Sequence, residues 1–235
     1  MDAFDTPPVH SRMRRLARRV CVGLAAVTSV TTVVAVAPAG DVSAQMPELA
    51  VNALATEISD AAAQSVVALD AFEASGAVED ERTLAWHRAI TARYVAQQLG
   101  YDELAMIDAW SRASLAHQRA VLGALTQVGV PYRTNTSIEN EGFDCSGLTF
   151  YAWQGAGHEL YRQSGSQISA AEPRTRETAM AGDLVHYPGH VMMYLGVDDA
   201  VVHSVNTGRT VEVDTISQSR RDRVSWGDPT VDPGV

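Results

Sequence analysis

The segment Gly142-Phe143-Asp144-Cys145-Ser146-Gly147-Leu148 places a cysteine just after an acidic residue, at the start of a run that suits a helix from Asp144 to about Gly155. A thiol on the first turn of a helix meets unpaired backbone N–H groups and the positive end of the helix dipole, and both favour negative charge. That placement predicts a thiol pKa lowered toward neutrality, and the thiolate is the reactive form. The same N–H groups suit a developing oxyanion. A free cysteine is also commonly a small buried hydrophobe, and the cysteine alone does not choose between these readings. A nucleophilic thiol needs a base. Four of the seven histidines follow it: His158, His186, His190 and His203. His190 opens an apolar run straight after Pro188-Gly189, and His203 lies in the next run. An antiparallel hairpin would set the two side by side as base and orienting partner. Paired histidines in a meander are also often structural. His158, between Gly157 and Glu159, reads as exposed, and a break separates His186 from His190.

The elements that must hold these groups are a helix followed by a strand meander. Asp183 to Tyr187, His190 to Leu195, Ala200 to Val205 and Thr210 to Val213 suit short strands. Turn residues at Gly189, Gly196 with Asp198-Asp199, and Asn206-Thr207-Gly208 separate them. Upstream the texture is helical. Leu54, Ile58, Ala62, Val66 and Leu69 recur at helical spacing, with an end near Ala74-Ser75-Gly76. A second helix is expected from about Glu79 to Leu99, with Trp86, Ile90 and Tyr94 as packing residues and Gly100 as C-cap. A third should start from Asp102 and turn Leu104, Ile107 and Trp110 inward. The expected organisation is a targeting segment over 1–44, a helical segment over 45–114, an α+β domain over 115–218, and an extended or disordered tail over 219–235.

With 235 residues and 46% hydrophobic content, the chain suffices for one sizeable core and an extension. Its 18 basic residues, all arginine, stand against 28 acidic ones for a formal charge of -10, which argues against a nucleic-acid partner. Arg12, Arg14, Arg15, Arg18 and Arg19 precede the uncharged stretch Val20 to Gly40, and Val42-Ser43-Ala44 offers small residues for cleavage. Export is the expectation, with an uncleaved membrane anchor as its alternative. Loss of that segment removes Cys21 and leaves Cys145 as a lone thiol in an oxidising compartment, a liability unless it has work to do.

In its second half the chain resembles the NlpC family of bacterial cell-wall cysteine peptidases, which have a compact papain-like fold. The resemblance spans about residues 116–214 and rests on five motifs in order. Gln127-Val128-Gly129-Val130-Pro131-Tyr132 is similar to the opening of that domain, Gly142 to Leu148 to its nucleophile motif, and Arg162-Gln163-Ser164-Gly165-Ser166-Gln167 to the segment after the nucleophile helix. Ala181-Gly182-Asp183-Leu184-Val185 and Gly189-His190-Val191-Met192-Met193-Tyr194-Leu195-Gly196 resemble its two central strands. The resemblance implies Cys145 as nucleophile, His190 as general base and later acid, and His203 as the polar partner of His190. Tyr132, Asp144 and Ser146 match positions that in some members line the pocket for the residue before the cut. The implied reaction hydrolyses an amide of the peptidoglycan stem, often between D-glutamate and a diamino acid, with no metal or cofactor.

Two departures bear on substrate choice. Arg133-Thr134-Asn135-Thr136 stands where an aromatic residue and two glycines are common, so the loop over 134–141 should differ in shape and border the pocket. Met192 replaces a common glycine and is expected to narrow the site. The sequence therefore points to a secreted or cell-wall-associated cysteine endopeptidase acting on peptidoglycan stem peptides. Its alternatives are a cell-wall binding protein on the same fold and a thiol acyltransferase. The helical segment resembles no known module, and a packing extension, a binding surface and a plug over the cleft all stay open.

Overall fold

The computed structural model describes residues 52–230; the expected targeting segment over 1–44 lies outside them. Helix α1 (Ala55–Ser75) buries Ile58, Ala62 and Leu69 and ends at Gly76, whose φ of 61° lets its N–H reach back to Phe72 O. Helix α2 (Val78–Leu99) packs along it through a buried hydroxyl pair, Ser65 and Thr91 at 2.9 Å. Helix α3 (Glu103–Arg112) starts from Asp102, whose side chain accepts from Ala105 N, and buries Met106 and Trp110. The Trp110 indole donates to Leu195 O at 2.8 Å, tying the helical segment to the strands. Two inward assignments fail: Trp86 is 63% exposed and Leu104 72%. The inner face of α2 is taken by Leu84, Thr91 and Val95. In α3 the pair Met106 and Trp110, four residues apart, sets the inner face, and Leu104, two residues before Met106, falls on the opposite side.

Helix α4 (Leu115–Leu125) lies against α1 and leads into the mixed region. The expected 114/115 boundary falls at this α3–α4 turn, yet one apolar cluster runs across it, from Ile58 through Leu122 and Trp153 to Val213. The helical segment shares its core with the strands. A two-stranded hairpin, β1 (Ser137–Ile138) and β2 (Gly142–Phe143), precedes α5 (Cys145–Gly155), and α6 (Ser164–Ala170) follows. The main sheet is built from β3 (Glu172–Arg174), β4 (Leu184–Tyr187), β5 (His190–Tyr194), β6 (Ala200–Ser204), β7 (Val211–Thr215) and β8 (Ser225–Asp228), in the order β3-β8-β4-β5-β6-β7 with every pair antiparallel. The expected α+β architecture is observed, with the Cys145-bearing helix packed on an antiparallel sheet and preceded by helices.

The expected tail over 219–235 is corrected for residues 219–230, and 231–235 lie outside the described residues. Residues 216–224 connect β7 at one edge to β8, which pairs with both β3 and β4. Trp226, 8% exposed, and Ile216 close a second apolar cluster with Val185, Met192, Tyr194 and Val201. That burial anchors a segment whose sequence carries no alternation. Met192 packs within this second cluster. Among the described residues no helix is long and apolar enough to cross a membrane.

Candidate active site

The N-terminus of α5 is braced from three sides. Asp144 caps it, accepting from Gly147 N at 2.7 Å. Arg162 grips the same carboxylate bidentately, at 2.9 Å to Oδ1 and 2.7 Å to Oδ2, and donates to Ser146 Oγ at 3.0 Å. Buried Gln167 donates to Ser146 O and Tyr161 O and accepts from Thr149 Oγ1. Thr136 O accepts from Asp144 N at 3.0 Å and backs so closely onto Gly147 that a Cβ there would collide with it. This explains the glycine two residues after the cysteine. The loop expected to border the pocket divides its roles. Thr136 pins the turn that carries Cys145, while Glu139 and Asn140 at the tip face a cavity of about 640 Å³ between α1, α4 and α5 that neither Cys145 nor His190 lines. Tyr132 is half-buried, its N–H donating to Arg209 O just ahead of β7, and Arg133 N donates to Phe143 O.

Cys145 is partly buried against the start of β5, where the Val191 N–H favours the charged form of its thiol. Its thiol pKa is raised, which corrects the expected lowering. Burial is the largest cause and the Asp144 charge adds to it, outweighing the N–H groups of Val191, Ser146 and Cys145 itself. The carboxylate that caps the helix is the charge the helix dipole was expected to leave to the thiol.

The two histidines meet as expected. Met193 pairs with Val202, which makes His203 a diagonal neighbour of His190 on one face. His190 Nε2 and His203 Nδ1 lie 2.7 Å apart, both residues 8% exposed. Burial, then the charges of His203, Arg220 and His186, push the His190 pKa down to about 3. His203 Nε2 has no hydrogen-bond partner within ordinary reach, but Asp214 Oδ2 stands 3.5 Å away. On the other flank Tyr187 packs on His190 with ring centroids 5.2 Å apart, and Arg220 lies 4.3 Å over the Tyr187 ring while donating to its hydroxyl at 2.9 Å. His186 Nε2 is buried without a partner, and His158 packs edge-on against Trp153, so neither joins the pair.

The NlpC/P60 family model matches residues 129–228. Those residues are similar to an NlpC/P60 domain. The chain is 32% identical over 127 residues to the peptidoglycan endopeptidase RipB of Mycobacterium tuberculosis (strain ATCC 25618 / H37Rv), covering 47% of this chain and 51% of that one. It is 36% identical over 98 residues to a probable endopeptidase of Corynebacterium glutamicum (strain R), covering 40% and 46%. The chain thus spans about half the length of these curated relatives. Among solved structures, RipD from Mycobacterium tuberculosis, a non-catalytic NlpC/p60 domain protein adapted to peptidoglycan binding, is 27% identical over 49% of this chain and 98% of that one, with a TM-score of 0.40.

The family-model match extends to β8, past residue 218. Four residues at the site escaped the reading of the sequence. Arg162 and Gln167 sit in a quoted motif whose polar side chains were the available signal. Asp214 lies one residue past the expected end of β7, and Arg220 fell in the supposed tail. Away from the site, His117, Asp183 and Asp228 are the one grouping among the described residues with metal-ligand chemistry, with His117 Nε2 at 3.2 and 3.5 Å from the carboxylates. Their oxygens already accept from His117, Met180 N, Arg174 and Thr230, as a structural hydrogen-bond network would.

Asp144→Ala removes the cap and strands the half-exposed Arg162, and is expected to lower the unfolding free energy by about 2 kcal/mol. Asp144→Asn, which still caps, should recover part of that loss. Urea unfolding of both variants measures the difference.

Proposed function

We propose that this chain hydrolyses amide bonds of peptidoglycan stem peptides outside the cytoplasmic membrane, with Cys145 as nucleophile. The observation that carries the reading is the 2.7 Å contact between His190 Nε2 and His203 Nδ1, next to Val191, whose N–H favours the charged form of the Cys145 thiol. With His203 Nε2–H turned toward Asp214, its Nδ1 accepts from His190 Nε2–H. His190 Nδ1 is then the free lone pair. As sulfur bonds to the carbonyl carbon, the thiol proton passes to His190 Nδ1, and N–H groups of the first turn of α5 receive the oxyanion. Collapse breaks the C–N bond, and His190 gives its proton to the departing amine. Water then attacks the thioester and loses a proton to His190; the C–S bond breaks and the thiol is restored. Tyr132, Asp144 and Ser146 frame the side that holds the residue before the cut, Asp144 and Ser146 through the Arg162 brace.

Within this scheme Asp214 is a positioning residue that acts through His203. Asp214→Asn is expected to lower kcat about 10-fold with KM little changed, and to shift the ¹⁵N signals of His203 toward the other tautomer. Unchanged signals with unchanged kcat would remove Asp214 from the scheme.

The reading is tested by incubating the chain with purified stem peptides, with and without prior iodoacetamide, and following fragments by mass spectrometry. Paired fragments carrying a new carboxylate and a new amine, lost on alkylation, support hydrolysis. A conjugate of the acyl fragment with an added amine would mean transfer, and binding without cleavage would mean a recognition protein.

A further inference from the structure

Residues 216–224 do more than close the second cluster. In running from β7 to β8 they carry Arg220 past the end of β4, onto Tyr187. Most arginines of the described chain are paired with carboxylates; the neighbouring Arg221 binds Asp199, and Arg209 binds Glu212. Arg220 has no carboxylate partner. It is exposed, spends one N–H on the Tyr187 hydroxyl, and keeps the rest of its planar donor fork toward solvent. No carboxylate figures among the groups whose charges act on His190 or Tyr187, although the chain carries a formal charge of -10. One flank of the site is thus locally cationic in an acidic protein.

That flank can be assigned. The sheet runs β4-β5-β6-β7, with His190 on β5. Tyr132 is tied beside the β7 side through Arg209 O, and Tyr187 with Arg220 stands on the β4 side. The two tyrosines therefore lie on opposite flanks of His190. If the Tyr132 flank holds the residue before the cut, the Arg220 flank receives the residue that leaves as the amine. A bare cation also opposes the imidazolium that His190 becomes during acyl transfer, and a bound carboxylate would offset that repulsion as well as pair with the fork.

We propose that Arg220, held by Tyr187, is a carboxylate-binding subsite that selects stem peptides with a free carboxylate on the leaving side of the scissile bond. This subsite rests on the hydrolase reading above. Its test uses two synthetic stem peptides that differ only in bearing a carboxylate or a carboxamide on the leaving residue, with wild type, Arg220→Gln and Arg220→Lys.

Wild type should cleave the carboxylate peptide with kcat/KM about 10-fold higher than the carboxamide. The ratio should fall to about 2 or less in Arg220→Gln, with Arg220→Lys between, and wild-type selectivity should shrink at high salt. Equal rates on the two peptides in wild type, or the same ratio in Arg220→Gln, would overturn the subsite. If wild type cleaves neither peptide, the hydrolase reading fails by itself, and calorimetry on the same proteins decides the subsite. Tighter binding of the carboxylate peptide that is lost in Arg220→Gln sustains it, and equal binding of the two refutes it.

Discussion

A His190→Gln variant is expected to lose about 10³- to 10⁴-fold in kcat for stem-peptide hydrolysis. The size follows from the state of the thiol. Burial and the Asp144 charge hold Cys145 protonated at neutral pH, so little thiolate exists before a base removes the proton. Gln preserves volume and polarity but takes no proton, so it supplies neither the base for attack nor the acid for the departing amine. Single-turnover and steady-state rates on the same peptide would measure the loss; a decrease below about 10-fold would place the base elsewhere.

The same substitution has a consequence for stability. The pKa of His190 stands at about 3 in the folded chain, below its ordinary value of 6.5. The unfolded chain therefore binds this proton first as pH falls. The contribution is fully present above about pH 6.5 and is lost on the way down to about 3, with a slope of at most about 1.4 kcal/mol per pH unit. Unfolding free energies of His190→Gln should fall less steeply over that window than those of wild type. Asp214 and Asp228, whose carboxyls are held below their usual range, add acid sensitivity that both proteins share.

The sequence carried the parts of this fold that repeat. Strands β4 to β7 were legible because turn glycines cut the apolar runs, and α1 and α2 because Gly76 and Gly100 close them with positive φ. The Cys145 turn was legible as a motif, and its Gly147 has a local cause in the Thr136 carbonyl. What stayed hidden depends on distant chain. Strand β8 offers one large apolar residue, Trp226, and its burial depends on β4 and Tyr194 beneath it. The sign of the thiol shift was misread because a cap residue that stabilises a helix N-terminus also brings a charge to the thiol. Asp214 and Arg220 reach the histidines only through strand register and the crossover, which no local pattern encodes.

The most direct test of a thiol hydrolase is Cys145→Ala, assayed beside wild type on the carboxylate stem peptide by mass spectrometry. Alanine deletes the sulfur at a partly buried position while leaving the Asp144 cap, the Arg162 brace and the histidine pair in place, so folding and peptide binding should persist. Removing a nucleophile leaves only what oriented binding and the oxyanion donors give to water, and the fall in kcat should be about 10⁴-fold or more. Fragments from wild type and none from Cys145→Ala over the same interval is the predicted result; equal cleavage by the two proteins would contradict Cys145 as the nucleophile.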